Sequence, residues 1–383
     1  MPYEHDRDSS PQHLHRLASA AAAGLGELTA FLARAARRVY SSLEPQVASK
    51  WAPVAFAFSA EEHIPLELAP HTPVSEAALR KIAARHRLRV TTFTRLPDTG
   101  ISNAHWQLGD DYVLRVPRQA PNHTRAVRRE SVVVPAVRAA AVRTPAVIAY
   151  DEALDLLPVP YAIYERVRGV PLESLRLDPD ATPTAWRAVG RDLALLHTRV
   201  AHTHPLALLR HEAPEDIRPL AELRAQQGYF GAAEARWLIA WLDRLAPAVG
   251  VHRTPLQSAR PLAFCHADVQ AANVLVTPES GEYAALIDWG DAQWRDPAWD
   301  CAGMPLRAAP LILEGHREVA ALEDDETAEA RIIWRHLHLA LALLERGPLP
   351  DRSWGERPLG ILLETLRFCQ APPSCGNWKE WLW

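Results

Sequence analysis

The chain is poor in lysine. It has 42 basic side chains among 383 residues, but only Lys50, Lys81 and Lys379 are lysines. None of the three falls in a predicted strand of the region between residues 90 and 167. A site in that region that needs a permanent positive charge must therefore use arginine.

Two further absences narrow the class of protein. The net charge of −4 shows no basic excess, which argues against a dedicated nucleic-acid binder. The cysteines show neither a disulfide framework nor the paired spacing of a zinc site, so we expect a protein of the reducing cytoplasm. The four cysteines are Cys265, Cys301, Cys369 and Cys375.

A polar cluster surrounds one predicted hairpin. Two apolar strands lie between Asn273 and Asp288, on either side of the turn Thr277–Gly281. Across such a hairpin Asn273 faces residue 286 or 287, so Asn273 and Asp288 emerge at the same end of the ribbon. Asp268, just before the first strand, is expected at that end too.

These residue types suit phosphoryl transfer. Asn273 and Asp288 offer hard oxygen ligands to Mg²⁺, which bridges phosphate oxygens and neutralises their charge. The separate carboxylate of Asp268 can accept a hydrogen bond and finally the proton from an attacking hydroxyl. We therefore predict Asp268 as the catalytic residue and Asn273 and Asp288 as the metal ligands.

The motifs resemble the catalytic core of the aminoglycoside and macrolide phosphotransferase family, which shares the fold of eukaryotic protein kinases. His266, Asp268 and Asn273 match its His-x-Asp-x-x-x-x-Asn pattern, and Ile287-Asp288-Trp289 is similar to its metal strand. Asp296-Pro297-Ala298-Trp299-Asp300 matches its Asp-Pro-Ala-x-Asp motif. For His266 and Asp300 we expect a role in bracing the loop backbone rather than in chemistry.

The resemblance also assigns a phosphate-binding region upstream. The loop Leu96–Asn103 is similar to the family's Gly-x-Ser-Asn loop, so Gly100, Ser102 and Asn103 are expected to bind nucleotide phosphates. The strand Val113-Leu114-Arg115 resembles the family strand that carries the phosphate-binding cation, here Arg115 in place of lysine. Arg118 is close enough in sequence to compete for that role.

Two further parts of the nucleotide site follow from the resemblance. Glu130, on a predicted helix, occupies the place of the acid that pairs with the phosphate cation, although a local surface pair is an alternative. The strand that contains Glu165 and Val167 resembles the hinge whose backbone binds the nucleotide base. Backbone contacts leave no sequence signature, so ATP and GTP remain equal alternatives as the phosphate donor.

The implied fold is α+β and bilobal, like a protein kinase. Residues 74–166 are predicted to form an N-lobe with a small antiparallel β-sheet, and residues 167–383 a larger, mainly helical C-lobe with the catalytic loop and acceptor site. Apolar residues at helical spacing support the C-lobe assignment. Examples are Trp186, Val189, Leu193 and Leu196 in one helix, and Ile332, Ile333 and Leu337 in another.

The first 73 residues match nothing in the family. Residues Leu17 to Leu43 suggest an amphipathic helix, and a proline-containing linker follows it. Glu27 interrupts the apolar run, so the segment is a poor candidate for a signal peptide or a membrane span. We expect a cytosolic extension of unknown function, either a docking helix for an unknown protein partner or an accidental upstream extension.

The expected activity is transfer of the γ-phosphate of ATP or GTP to a hydroxyl of a small molecule. Only eleven residues separate Asp288 from Asp300, which leaves no room for the peptide-binding segment of a protein kinase. An antibiotic of aminoglycoside or macrolide type is the first acceptor to consider. The alternatives are a metabolite kinase for a sugar, a choline-like alcohol or an amino alcohol, and a nucleotide-binding pseudoenzyme acting as an interaction module.

Overall fold

The computed structural model describes residues 69–97, 102–251, 261–302, 305–345 and 358–382. These residues belong to one compact unit, Pro65–Trp383. The helix predicted from Leu17 to Leu43 and the predicted phosphate contact Gly100 lie outside the described residues. Among the helices that the structure describes, none has both the length and the apolar character needed to cross a membrane.

The N-lobe is built around a five-stranded antiparallel sheet with the strand order β1-β2-β3-β5-β4. Its apolar side chains form a core with helix α1 that includes Leu79, Ile82, Leu108, Leu114 and Ile163. The strands are β1 (Phe93–Arg95), β2 (Asn103–Leu108), β3 (Tyr112–Pro117), β4 (Val147–Asp151) and β5 (Tyr161–Glu165).

Two helices belong to this lobe. Helix α1 (Glu76–Arg85) begins after Ser75, whose side chain caps the helix by accepting a hydrogen bond from the Ala78 amide at 3.1 Å. Helix α2 (Pro121–Ala139) starts with a proline in the first turn, where the missing N–H costs nothing. The stretch of valines at residues 132–134 remains helical, and Val133 and Val134 are buried.

The C-lobe carries most of the helices and a single large core. Helix α3 (Pro183–Arg199) buries Trp186, Val189, Leu193 and Leu196, which confirms the predicted apolar face. The other α-helices among the described residues are α4 (Arg218–Gln226), α5 (Ala232–Val249), α6 (Ala309–Arg317), α7 (Ala328–Leu343), α8 (Pro358–Gln370) and α9 (Trp378–Trp381).

Two small sheets lie in the C-lobe. One pairs β7 (Ala263–Cys265) with β10 (Gln293–Arg295), and the other has the order β6-β8-β9. The second sheet contains β6 (Val170–Pro171), β8 (Val274–Val276) and β9 (Tyr283–Leu286). The loops that join these short strands carry the polar residues predicted for the site.

The segment just before α1 contacts the N-lobe sheet. The hydroxyl of Thr72 donates to the Pro117 carbonyl at 2.9 Å, and the Gln119 amide donates to the Pro70 carbonyl at 3.0 Å. These residues lie within the range assigned from the sequence to the extension. The division of the chain at residue 73 remains a prediction.

Candidate active site

The β8–β9 hairpin brings Asn273 and Asp288 to one end, as predicted. Val274 pairs with Leu286, and the Ile287 amide donates to the Asn273 carbonyl at 2.9 Å. The turn closes where the Gly281 amide donates to the Thr277 carbonyl at 2.9 Å. Because the strands end in register, the residues that follow each strand end are neighbours.

Asp268 lies against the same end of the hairpin. The Asn273 side-chain amide donates to the Asp268 carboxylate at 2.8 Å and to the Asp268 carbonyl at 2.9 Å. The Gln270 amide nitrogen lies 2.9 Å from each carboxylate oxygen. Burial and the negative charge of Asp288 raise the pKa of Asp268. Gln270 is a contact that the sequence motif did not single out.

Asp288 is connected to the N-lobe through Arg115. The guanidinium of Arg115 donates to the Asp288 carboxylate at 2.8 Å and to the Glu130 carboxylate at 2.5 Å. Glu130 is 1% exposed, so its contact with Arg115 is a buried ion pair rather than the alternative surface pair. The predicted partnership of Glu130 with the cation on β3 is therefore present.

Two more side chains hold this ion pair. Tyr164, on β5, donates a hydrogen bond from its hydroxyl to the second oxygen of Glu130. With its amide oxygen turned toward the guanidinium, Asn103 accepts from Arg115 Nε at 2.9 Å and from Nη2 at 2.6 Å. The side chain of Asn103 thus contacts the cation, and its predicted contact with phosphate stays a prediction. Tyr164 was not predicted, although its place directly before Glu165 on a buried strand is readable in the sequence.

The carboxylates differ in their proton affinity. Burial raises the pKa of Glu130 to about 7, although the charge of Arg115 opposes this effect. Burial also raises the pKa of Asp288, but the charge and hydrogen bond of Arg115 outweigh it and lower the pKa to about 2. Asp288 is therefore ionised at neutral pH, and its side chain is 42% exposed.

The backbone around Asp268 is braced from behind by Asp300. The amides of His266 and Ala267 donate to the two Asp300 carboxylate oxygens at 2.6 and 2.9 Å. His266 Nδ1 accepts from the Asp268 amide at 3.2 Å, and its Nε2 donates to the Ile287 carbonyl at 3.0 Å. His266 thus joins the loop to Ile287, next to Asp288, and the predicted bracing roles of His266 and Asp300 agree with these contacts.

The other predicted nucleotide contacts that the structure describes lie at or near the ends of N-lobe strands. Ser102 directly precedes β2, and its carbonyl accepts from the Arg118 amide at 2.9 Å. Glu165 ends β5 and is exposed, and Val167 lies half-buried two residues later. The guanidinium of Arg118 donates to the Ala69 carbonyl at 3.0 Å. Arg115, by contrast, joins Glu130 to Asp288.

The donor set suits Mg²⁺. The side-chain nitrogen of Asn273 is bonded to Asp268. The side-chain oxygen of Asn273 therefore faces away from those bonds and is available as a ligand. Asp288 adds an ionised, half-exposed carboxylate at the adjacent position. An amide oxygen and a carboxylate are the hard oxygen ligands that Mg²⁺ prefers. Asn273 and Asp288 could hold the metal, next to Asp268.

Residues 92–325 match the phosphotransferase enzyme family. Known structures of similar fold include the GDP complex of wild-type aminoglycoside 2'-phosphotransferase-IIIa, 15% identical over 76% of this chain and 98% of that one, with a TM-score of 0.56. The apo macrolide 2'-phosphotransferase of Brachybacterium faecium is 19% identical over 78% of this chain and 99% of that one, with a TM-score of 0.50. No curated protein sequence matches the chain significantly. The structural similarities support the bilobal, kinase-like α+β fold predicted from the sequence.

Proposed function

This chain belongs to the phosphotransferase enzyme family, and from that premise we propose that it moves the γ-phosphate of ATP or GTP to a hydroxyl of a small molecule. The observation that carries the proposal is the meeting of two groups of residues in one cleft. Asp268 and Asn273 come from the C-lobe loop, and Arg115 reaches Asp288 from the N-lobe. A phosphoryl-transfer site needs both groups, one for the acceptor and one for the phosphates.

In this proposal Asp268 orients the acceptor and takes its proton. Two side-chain amides, from Gln270 and Asn273, fix the carboxylate in one orientation. The raised pKa of Asp268 makes it a better proton acceptor than an ordinary aspartate, because general bases work best when their pKa lies nearer the operating pH. A fixed carboxylate also orients the hydroxyl for in-line attack on the phosphorus.

Arg115 binds the nucleotide phosphates on the other side of the cleft. Glu130 and Asn103 orient its guanidinium. These two residues leave two terminal N–H groups, one of which bonds Asp288 here, and once Asp288 turns to the metal both can donate parallel hydrogen bonds to phosphate. When Mg²⁺ is bound by Asn273 and Asp288, it neutralises charge on the phosphate oxygens. Gly100, Ser102 and the hinge backbone at Glu165 and Val167 complete the proposed nucleotide site.

The acceptor is proposed to be small because the chain turns away quickly after Asp288. Strand β10 pairs with β7, and a 3₁₀ helix from Pro297 to Cys301 follows at once. Trp299 and Asp300 in this helix are buried in the C-lobe. This short, packed segment offers no extended surface on which a peptide could be aligned with Asp268.

Aminoglycosides and macrolides are the first acceptors to test, since proteins of the same fold bear those substrates in their names. A second candidate is a metabolite alcohol such as a sugar or an amino alcohol, because family membership alone does not imply antibiotic resistance. A third candidate is a pseudoenzyme whose extension recruits a protein partner. The ordered geometry of Asp268, Asn273 and Asp288 favours an enzyme, because a protein without activity would not need to maintain it.

The test is a mass-spectrometric screen for phosphorylated product. Purified full-length protein is incubated with Mg²⁺, with ATP or GTP, and with macrolides, aminoglycosides or metabolite alcohols. Asp268→Asn serves as the inactive variant. Asp243→Asn serves as the matched control, because Asp243 is a half-exposed carboxylate that pairs with Arg218, on α4, and lies on α5 away from the cleft.

A product that forms with wild type and with Asp243→Asn, but not with Asp268→Asn, would establish the reaction and identify both substrates. If Mg²⁺-nucleotide binds but no acceptor is phosphorylated, the antibiotic assignment fails. Partner binding that depends on residues 1–73, without any transfer, would instead support the interaction module.

A further inference from the structure

Two buried histidines meet behind the catalytic loop. His197 lies in the last turn of α3 and His316 near the end of α6. Glycines let these helices approach closely: a Cβ at Gly190 would lie 2.0 Å from the Ile312 carbonyl oxygen, and one at Gly315 would lie 2.0 Å from that of Arg187. At this spacing His197 Nδ1 and His316 Nε2 come within 3.0 Å of each other.

The outer nitrogens of the two rings both carry protons. His316 Nδ1 lies 2.9 Å from the Ala320 carbonyl oxygen, which can only accept, so Nδ1 must donate. His197 Nε2 lies 3.2 Å from an Asp300 carboxylate oxygen. Burial raises the pKa of Asp300, but its hydrogen bond with His197 and the charge of Arg295 outweigh burial and hold the pKa well below its usual range. Asp300 is therefore ionised, and His197 Nε2 must donate to it.

The inner contact then fixes the charge of the pair. Two unprotonated nitrogens at 3.0 Å would place lone pairs against each other, so one proton must lie between the rings. Together with the two outer protons this makes three protons on four nitrogens. Two neutral imidazoles carry only two, so His197 and His316 share one positive charge.

The surroundings place this charge on His197. His197 faces the Asp300 carboxylate, whereas His316 faces only a carbonyl group. Burial and the neighbouring charge of His197 lower the pKa of His316 to about 3, which keeps it neutral. A charged histidine that is 3% exposed is stable only when it is paired, and Asp300 provides the partner.

We propose that His197 is a buried imidazolium, held by His316, that positions the Asp300 carboxylate and through it the backbone of His266 and Ala267. Ala267 has a φ of 73°, a left-handed conformation that a non-glycine residue keeps only when its surroundings fix it. Asp300 supplies that restraint through its bond to the Ala267 amide. Asp268 follows directly, so His197 is a positioning residue for the catalytic carboxylate. Only the catalytic role of Asp268 rests on the proposed function.

The other groups around this pair leave its charge unchanged. Burial and the charge of Asp300 raise the pKa of Cys265 well above its usual range, so its thiol stays neutral. His266 is neutral because its Nδ1 accepts and its Nε2 donates. Arg295 is bound to Asp300, and Arg317 is bound to acids on its other side, Asp325 and Glu329. His197, Cys265 and Asp300 also lie within 4.8 Å of one another. Their hydrogen bonds already account for these atoms, so we assign no metal to them.

Histidine ¹⁵N NMR of the full chain at pH 7 tests the protonation directly. Signals are assigned by comparison with His197→Gln and His316→Gln. We expect both ring nitrogens of His197 to be protonated, and His316 to carry its single proton on Nδ1. An unprotonated ring nitrogen on His197, or a doubly protonated His316, would overturn the proposal.

Hydrogen exchange at the amides of His266 and Ala267 tests the positioning. Glutamine at position 316 can still accept from His197 and donate to the Ala320 carbonyl, whereas leucine can do neither. We expect exchange to be about tenfold faster in His316→Leu and near wild type in His316→Gln, because only leucine leaves the Nδ1–H of the buried imidazolium without an acceptor. The Leu286 amide, bonded to the Arg143 carbonyl in the hairpin, is the internal control.

Equal exchange in the leucine and glutamine variants would mean that packing alone holds the loop, and the positioning role would be wrong. Neither measurement uses an acceptor or a nucleotide. A negative result here is therefore separable from a negative result in the search for a phosphorylated product.

Discussion

Asp288 and Asp300 belong to the same segment of the chain, yet the protein uses them in opposite ways. Both bind an arginine, and the pKa of each lies below its ordinary value. The side chain of Asp288 is 42% exposed, whereas that of Asp300 is fully buried. Asp300 accepts hydrogen bonds from the backbone amides of His266 and Ala267 and from the side chains of Arg295 and His197. Its oxygens are therefore fully bonded within the protein.

The two carboxylates also differ in what their arginines connect. Arg115 joins Glu130 in the N-lobe to Asp288 in the C-lobe, so this pair depends on how the two lobes close. Arg295 and Asp300 lie in adjacent elements of the C-lobe alone. A carboxylate whose oxygens are exposed can bind a ligand, whereas a carboxylate that is fully hydrogen-bonded within the protein supports the fold.

The largest effect on activity should come from removing the exposed carboxylate of Asp288. We expect Asp288→Asn to reduce phosphate transfer roughly 10⁴-fold, because metal-assisted charge stabilisation contributes several kcal/mol to the transition state. The fold should survive, since the side chain is half-exposed. The rate is measured with the acceptor found in the screen, beside Asp243→Asn as control. Transfer within tenfold of wild type would remove Asp288 from the proposed metal site.

Removing the buried carboxylate of Asp300 should mainly lower stability. Asp300→Asn leaves Arg295 and the protonated His197 without their buried anion, which should cost about 4 kcal/mol in the free energy of unfolding. Urea denaturation measures this loss. Asp243→Asn breaks an exposed pair and should cost less than about 1 kcal/mol. Equal losses in the two variants would contradict the supporting role of Asp300.

The residues around Asp288 were more predictable from the sequence than the residues that support the catalytic loop from behind. Asn273 directly precedes the first strand of one hairpin and Asp288 follows the second, so the local pattern places them at the same end, and the pairing there is as expected. The family motif added Arg115 and Glu130, and their buried contact is present in the structure. Base-contacting roles for Glu165 and Val167 remain predictions, because backbone contacts depend on a ligand and not on side-chain type.

The support behind the site could not be predicted in the same way. His197 and His316 lie on helices far apart in sequence, and their contact depends on how these helices pack against each other. Gly190 and Gly315 permit that packing, but a single glycine in a helix does not reveal which helix approaches it. Tyr164 was missed for a similar reason: its bond to Glu130 links a strand to a helix that crosses it.

A smaller change tests the geometry of the guanidinium of Arg115 rather than its positive charge. Arg115→Lys keeps the positive charge but cannot bridge Asn103, Glu130 and Asp288 with a planar group. We expect Mg²⁺-nucleotide to bind about tenfold more weakly, in line with the loss of a charge-assisted bidentate contact. Arg118→Lys is the matched control and should bind as wild type. A larger loss in Arg118→Lys than in Arg115→Lys would make Arg118 the phosphate contact.

A buried titratable group without a charged partner provides a contrast to Asp300. His336, on α7, is fully buried, and its Nε2 lies 3.4 Å from the Ile361 carbonyl oxygen. Burial lowers the pKa of His336 to about 4. An unfolded histidine has a pKa of about 6.5, so between these values the unfolded state binds more protons and stability falls as pH falls.

Between pH 7 and pH 5 this linkage should cost wild type about 2 kcal/mol that His336→Leu does not lose. Urea denaturation at the two pH values measures the difference, and Ile332→Leu, a neighbouring core change without a titratable group, should keep the wild-type dependence. The same pH dependence in His336→Leu and wild type would show that His336 is already protonated in the native state, and burial alone would not then distinguish an unpaired histidine from a paired one.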